Sequence, residues 1–196
     1  SLSRRQRQMC IRDSFYTSKN GTTLLGEKIW RHKIGSNNLD EMVYHETDET
    51  FYNGVYRSKS GKFIIIYHSS TLVTDYQILN ADNPNGKFTR FTPRDFDHEY
   101  SIDHYNDKFY IITNWKAKNN RLMQTPDTKT NISNWREVLP HRDTVHLLSL
   151  DVFKDNLVIN ERKQGLRQLR IINQQTGDDG YIAVSYTHLR AHETQT

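Results

Sequence analysis

The chain has 196 residues, a hydrophobic fraction of 35%, an aromatic fraction of 11% and a net charge of +4. No stretch approaches the ~20 consecutive apolar residues that span a bilayer, and no apolar segment follows the basic start as in a secretory signal. We therefore expect a cytoplasmic protein without a membrane partner.

The composition changes near both ends of the chain. Residues 1–14 carry four arginines against one aspartate and hold the single cysteine, Cys10, whereas residues 185–196 carry one arginine and one glutamate. Residues 15–184 therefore hold a net charge of only +1, which argues against a nucleic-acid partner. These changes of composition predict a folded domain over 15–184 and non-native flanks at 1–14 and 185–196. Non-native segments are left out of reasoning about the fold.

The predicted elements begin with a strand near Glu27–Ile34 and continue as three similar hairpins. These read YRSKSGKFIII (56–66), DHYNDKFYII (103–112) and DVFKDNLVIN (151–160), with two-residue turns predicted at Ser60-Gly61, Asn106-Asp107 and Lys154-Asp155. A third strand follows each hairpin, at 74–80, 120–125 and 166–173. A fourth follows at 86–92, 134–139 and 180–184, after connections rich in turn residues.

Four antiparallel strands that repeat about every 45 residues indicate the blades of a β-propeller. The alternative is a generic β-sandwich, but the shared register of the repeats favours the propeller. The prediction is an all-β protein with about three four-stranded antiparallel blades of an incomplete propeller. Three blades would leave long edges exposed, so we expect the chain to be a piece of a larger protein.

Three polar, charged loops precede the hairpins at similar distances. They are HETDET (45–50), TPRDFDH (92–98) and PHRDTVH (140–146). Because they occupy equivalent places in the repeat, we predict that they lie on one face of the blades.

The sequence motifs of common active sites are absent or incomplete in this chain. No two glycines are four residues apart, so the G-x-S-x-G turn of α/β-hydrolases is absent. His141-Arg142-Asp143 resembles part of a kinase catalytic loop, but its asparagine and the glycine-rich phosphate loop are missing. His188 and His192, followed by Glu193, have a metal-binding spacing but lack the rest of a zinc motif. We predict no catalytic, cofactor-binding or metal residues in this chain and no bound cofactor.

Several stretches together resemble the oligopeptidase B group of the prolyl oligopeptidase family of serine peptidases, from about Trp30 to Ile182. They are WRHKIG (30–35), VYHETDETFYNGVYRSKSGKFIII (43–66), LNADNPNGKF (79–88), EYSIDHYNDKFYIITN (99–114), AKNNRLMQTP (117–126), NWREVLPHRD (134–143) and FKDNLVINERKQGLRQLRI (153–171). The chain departs from the family pattern at Asn80 and His45, where acidic residues are usual. Both flanks resemble translated sequencing-adapter sequence.

The resemblance implies an N-terminal seven-bladed propeller joined to a C-terminal α/β-hydrolase domain with a Ser-His-Asp triad, acting on short peptides after lysine or arginine. In such an enzyme this chain would limit substrate access and dock the catalytic domain. We expect the interdomain contacts to include Arg94, Asp95, Arg142 and Asp143. Two alternatives remain: a non-catalytic propeller that binds protein partners, and a metal-dependent hydrolase that uses the C-terminal histidines.

Overall fold

The computed structural model describes residues 8–9, 13–94 and 98–182. Within them, four antiparallel sheets of four strands each follow one another along the chain. Their strands are β1 (Gln8–Met9), β2 (Asp13–Lys19), β3 (Gly26–Lys33), β4 (Glu41–His45), β5 (Tyr52–Arg57), β6 (Phe63–Ser69), β7 (Thr74–Asn80), β8 (Thr89–Arg90), β9 (Tyr100–Tyr105), β10 (Lys108–Thr113), β11 (Arg121–Pro126), β12 (Arg136–Leu139), β13 (Val145–Val152), β14 (Asn156–Lys163), β15 (Leu166–Asn173) and β16 (Asp179–Tyr181). A short 3-10 helix (Ile132–Asn134) precedes β12.

The predicted blades are confirmed, and we call the sheets blade A (β1–β4), blade B (β5–β8), blade C (β9–β12) and blade D (β13–β16). Blade A exceeds the predicted number of about three. Only its strand β3 was anticipated, because β2 and β4 lack the apolar run that marks the later blades.

The hairpin turns agree with the prediction in two of three cases. Asn106-Asp107 joins β9 to β10 directly, with Asn106 at φ 55°. Lys154-Asp155 is closed by a hydrogen bond from Phe153 N to Asn156 O of 2.8 Å. The two-residue turn at Ser60-Gly61 was wrong: β5 ends at Arg57 and β6 begins at Phe63. The longer connection arises because the Ser58 hydroxyl accepts from Phe63 N (3.1 Å) and closes the loop.

The core lies between the blades. Phe63 and Ile65 on one face of β6 pack with the residues of blade C in the largest buried cluster, whereas Ile64 packs with Phe15 of blade A. Successive residues of a strand point to opposite faces, so a central strand between two blades is buried on both sides and reads as a continuous apolar run. A third cluster joins blades C and D around Leu122, Leu147 and Ile159.

Two close contacts depend on glycine, one between blades A and B and one within blade B. A Cβ at Gly26 would overlap the backbone oxygen of Asn53, and a Cβ at Gly54 would overlap the ring of Tyr67. Both positions therefore require a residue without a side chain, whatever the backbone conformation.

The connections between successive blades lie at one end of the structure. Asn53 at the start of β5 donates to Glu27 O at the start of β3 (3.2 Å). Tyr100 N at the start of β9 donates to Thr74 Oγ1 at the start of β7 (2.6 Å), and Asn120 donates to Leu147 O near the start of β13 (2.8 Å). The three charged loops therefore share one face, as predicted, except that residues 95–97 lie outside the described part.

Candidate functional site: the crossover face

We call this end the crossover face. It consists of the described parts of the blade-to-blade connections at 46–51, 91–99 and 140–144, together with the turns at 20–25, 70–73, 114–120 and 164–165. In an antiparallel sheet, the turn between the second and third strands lies at the end where the first strand begins. This topology brings polar loops from all four blades to the same surface.

Over blades A and B, the crossover face is held by a buried ion-pair network. Arg94 donates to Glu46 Oε2 (2.8 Å) and to Asp75 Oδ2 (3.0 Å), and Arg90 also pairs with Asp75. Burial alone would raise the pKa of Glu46, but hydrogen bonds from Arg94 and from the Asp48 amide lower it below its ordinary value. Burial works against the charge of Arg94, yet its bonds to Glu46 and Asp75 raise its pKa. Glu46 and Arg94 therefore stay ionised, and the network fixes the connection between blades A and B.

A neutral histidine lies beneath this network. His68 is fully buried, with Nδ1 on the side-chain oxygen of Asn53 and Nε2 3.1 Å from the amide nitrogen of Gln77. The pattern requires that Nδ1 donates and Nε2 accepts. Burial lowers the pKa of His68 to about 4, so it is uncharged near pH 7. Its partner Asn53 also holds the start of β3, so the histidine supports the packing of blade A on blade B.

A second ion-pair network fixes the crossover face over blade D. Glu161 is fully buried and accepts from Arg142, from Arg170 Nη1 (3.4 Å) and from the hydroxyl of Tyr181 (2.9 Å). Arg170 also pairs with Asp179 on β16. A buried carboxylate needs such partners, since an unpaired one is costly.

The predicted interdomain residues divide into two classes. The side chains of Arg94 and Arg142 are only 16% and 29% exposed, and both are bound to carboxylates within the propeller. Asp143 is 97% exposed, and its loop is held by hydrogen bonds from Asn119 Nδ2 to Arg142 O (3.1 Å) and Asp143 O (2.7 Å). Asp95 lies outside the described residues. A contact with another domain remains a prediction for all four. Of the three that the structure describes, Asp143 has the most exposed side chain, 3.8 Å from His141 Nδ1 and on a backbone that Asn119 holds.

Two exposed leucines on the crossover face were missed in the sequence. Leu24, on the β2–β3 turn, is 66% exposed, and Leu72, on the β6–β7 turn, is 73% exposed. Leu24 also has φ 60°, an uncommon conformation for a residue other than glycine. An apolar side chain inside a polar turn was the available signal, and these side chains suit contact with a further protein surface.

A serine, a histidine and an aspartate do meet, at the opposite end of the blades. His104 Nδ1 lies 2.7 Å from Ser60 Oγ, and its Nε2 lies 3.5 Å from Asp127, which also pairs with Lys62. The arrangement offers no oxyanion hole, because the nearby amides are already bonded: Ser60 N to His104 O and Gly61 N to Ser58 O. It is a bridge between blades B and C rather than a catalytic centre.

Among the described residues, no three His, Cys, Asp or Glu side chains form a group that could hold a metal. No helix in the same part of the chain is long and apolar enough to cross a membrane. His188, His192 and Glu193 lie outside the described residues.

Comparisons with known proteins agree with this architecture. The sequence model of the prolyl oligopeptidase N-terminal beta-propeller domain matches residues 12–194. The chain is 35% identical to dipeptidyl aminopeptidase BI of Pseudoxanthomonas mexicana over 86% of its length, and 30% identical to protease 2 of Moraxella lacunata over 74%. It spans 23% and 21% of those two relatives.

Solved structures show the same fold. Oligopeptidase B from Trypanosoma brucei superimposes with a TM-score of 0.76 at 26% identity, covering 84% of this chain and 24% of that one. Oligopeptidase B from Leishmania major gives a TM-score of 0.81 at 21% identity, covering 89% of this chain and 26% of that one. The chain therefore belongs to the prolyl oligopeptidase family, and it corresponds to part of that family's N-terminal β-propeller domain.

Proposed function

We propose that the chain is the propeller part of a cytoplasmic serine peptidase similar to oligopeptidase B, which cleaves short peptides after lysine or arginine. The observation that supports this most strongly is the match of residues 12–194 to the propeller domain of the family, together with 30% identity to protease 2. In the whole enzyme, a serine of a separate α/β-hydrolase domain attacks the scissile carbonyl, a histidine carries the proton and an aspartate orients the histidine.

The role of this chain is to dock that domain and to limit access to it. The crossover face suits docking because its loops are fixed by two buried ion-pair networks, while Asp143, Leu24 and Leu72 project from it. A rigid polar frame with exposed apolar side chains resembles the composition of interfaces between domains. Because the catalytic domain would sit over this face, a peptide reaches the active site only if it is small enough to pass the propeller.

Peptidase assays on two proteins test the proposal. The 196-residue chain and the full-length protein from the extended coding sequence are each given a fluorogenic peptide ending in arginine. We expect turnover by the full-length protein alone, loss of turnover on replacement of its nucleophilic serine by alanine, and none by the 196-residue chain. A matched peptide with glutamate before the cleaved bond is the control for specificity.

A size comparison tests the limit on access. The same arginine-containing sequence is presented as a free peptide and within a loop of a folded protein, and we expect cleavage of the free peptide only. Equal cleavage of both would contradict the access role. A full-length protein without peptidase activity, but able to capture protein partners, would favour the non-catalytic propeller.

A further inference from the structure

Three asparagines of this chain are followed by glycine: Asn20, Asn53 and Asn85. The backbone nitrogen of the following residue can attack the side-chain amide of an asparagine, and glycine hinders this attack least because it has no Cβ. All three sites carry the same reactive pair of residues. The local structure at each pair therefore decides which asparagine can react.

The pair at Asn53 is locked inside the sheet. Asn53 is 3% exposed, its side-chain nitrogen donates to Glu27 O (3.2 Å) and its side-chain oxygen binds His68. Gly54 is paired with Tyr67 in the β5–β6 ladder and has the tyrosine ring against it. Attack at Asn53 would first require blade B to open locally.

The pair at Asn85 is exposed but its glycine is held. Gly86 N donates to Asn83 O (2.9 Å), so the attacking nitrogen is already in use. A Cβ at Gly86 would lie 2.9 Å from Leu79 Cδ1, which shows how little room this backbone has to rotate. Exposure alone therefore does not make a pair reactive.

Asn20, on the β2–β3 turn of the crossover face, has a different setting. Its side-chain oxygen accepts from Thr22 N (2.8 Å) and Thr23 N (3.1 Å). Because both donors follow Gly21 in the chain, the side-chain amide is held over the Gly21 peptide. Gly21 is exposed, and within the described part of the chain its nitrogen donates no hydrogen bond. The attacking nitrogen is free, while the carbon that it attacks is held close to it.

The two donors to Asn20 also have the geometry of an oxyanion hole. Attack on Cγ places negative charge on Oδ1, and preorganised backbone N–H groups at these distances stabilise such a charge. We propose that Asn20 is a site of spontaneous covalent modification, where Gly21 converts the side-chain amide into aspartate and isoaspartate through a cyclic imide. Water is the only co-reactant.

The reaction has two steps. The Gly21 nitrogen loses its proton and forms a bond to Asn20 Cγ, the Cγ–Nδ2 bond breaks, and the side-chain nitrogen leaves as ammonia. Water then opens the imide. Addition at Cγ gives aspartate, whereas addition at the backbone carbonyl carbon of residue 20 gives isoaspartate, in which the main chain runs through Cβ and Cγ. No electrons are gained or lost overall.

The product changes the turn that carries Leu24. Asn20 N donates to Leu25 O (2.8 Å) and Leu24 N donates to Asn20 O (3.1 Å), so an added methylene in the main chain at residue 20 disturbs both bonds. Both products add a carboxylate to the crossover face. An effect on domain docking rests on the proposed function, whereas the modification itself does not.

Peptide mapping by mass spectrometry tests the proposal on the 196-residue chain, incubated at mildly alkaline pH either folded or in urea. In urea, the three asparagines should convert at rates within about threefold of one another, since the fold no longer separates them. In the folded chain, Asn20 should convert at least about tenfold faster than Asn53 and Asn85, whose reaction waits for local opening. Isoaspartate should accompany aspartate at residue 20.

Gly21→Ala is the matched variant. Its methyl group meets nothing within 4 Å, so the fold, checked by circular dichroism, should be kept. Conversion of Asn20 should fall at least about tenfold because the Cβ hinders the attack. If this variant does not fold, the comparison of Asn20 with Asn85 in the natural chain decides alone.

Three results would overturn the proposal. They are equal conversion of Asn85 and Asn20 in the folded chain, the same lead of Asn20 in urea as in the folded chain, and aspartate at residue 20 without isoaspartate. The last result would show direct hydrolysis without the imide. None of these measurements depends on peptidase activity, so the modification and the proposed function can fail separately.

Discussion

Replacement of Arg94 by alanine probes the ion-pair network that fixes the crossover face. The guanidinium bonds Glu46 and Asp75 and lies 4.4 Å over the ring of Phe51, so its loss leaves two buried carboxylates with Arg90 as the remaining cation. Removing one partner of a buried ion pair costs about 3 kcal/mol or more. For a chain of this size, that loss corresponds to a fall of the unfolding midpoint by about 6–12 °C.

The measurement is thermal unfolding of the 196-residue chain, followed by tryptophan fluorescence and circular dichroism at pH 7. Lys118→Ala is the control, because Lys118 is exposed on the same face and its loss should change stability by less than about 0.5 kcal/mol. The Arg94→Lys variant should show a smaller fall in unfolding midpoint than Arg94→Ala, because lysine keeps the positive charge. It should still be less stable than the natural protein, because lysine lacks the forked guanidinium that reaches both carboxylates.

The pH dependence provides a second check on Arg94. The pKa of Glu46 is lowered in the folded protein, so its ionised form stabilises the fold above the ordinary value of 4.5 and this contribution is lost as the pH falls through the folded pKa. The difference in unfolding midpoint between the natural protein and the Arg94→Ala variant should therefore become smaller as the pH falls. An Arg94→Ala midpoint within the range of Lys118→Ala would refute the reasoning, as would a difference that widens on acidification.

Three further outcomes are expected. Gly54→Ala should destabilise the chain by about 2 kcal/mol because its methyl group meets the Tyr67 ring, whereas Gly21→Ala, in open space, should be nearly neutral in a urea titration. His68 has a folded pKa of about 4, below its ordinary 6.5, so the unfolded chain binds the extra proton and stability should fall by about 3 kcal/mol between pH 6.5 and 4; His68→Gln should flatten that part of an acid-unfolding profile, and an unchanged slope would contradict the assignment. Asp143→Lys in the full-length protein should lower peptidase activity several-fold without shifting the unfolding midpoint of the 196-residue chain, and unchanged activity would exclude Asp143 as a docking contact.

The strands that sequence patterns predicted best are the second and third strands of blades B, C and D, of which β6, β7 and β10 are buried on both faces. The apolar runs of β6, β10 and β14 stand out, and β7 and β15 begin and end where their patterns indicate. The bounds of the outer strands were harder to predict. A strand was predicted at 86–92, but β8 spans only Thr89–Arg90. An edge strand gains little from burial and its residues are mostly polar, so its sequence pattern is weak. In blade A only β3 was anticipated, and its other strands were missed because they lack an apolar run.

The charged loops could be placed on one face from the repeat alone, but their partners could not. Asp75 and Glu161 receive the guanidinium groups of Arg94 and Arg142 and lie 19 residues from them along the chain. Their pairing depends on how the blades pack. One signal was present: Asp75 lies beside the apolar run of β7 and Glu161 follows that of β14, and an acid at a buried strand position requires a cation.

The central claim is that this propeller belongs to a serine oligopeptidase, and the most direct measurement is to extend the coding sequence at both ends and assay its product. We expect further blades and then an α/β-hydrolase domain with a G-x-S-x-G turn, in a protein that cleaves short peptides after arginine or lysine. A closed propeller without a hydrolase domain, or a full-length protein inactive on such peptides, would contradict the account.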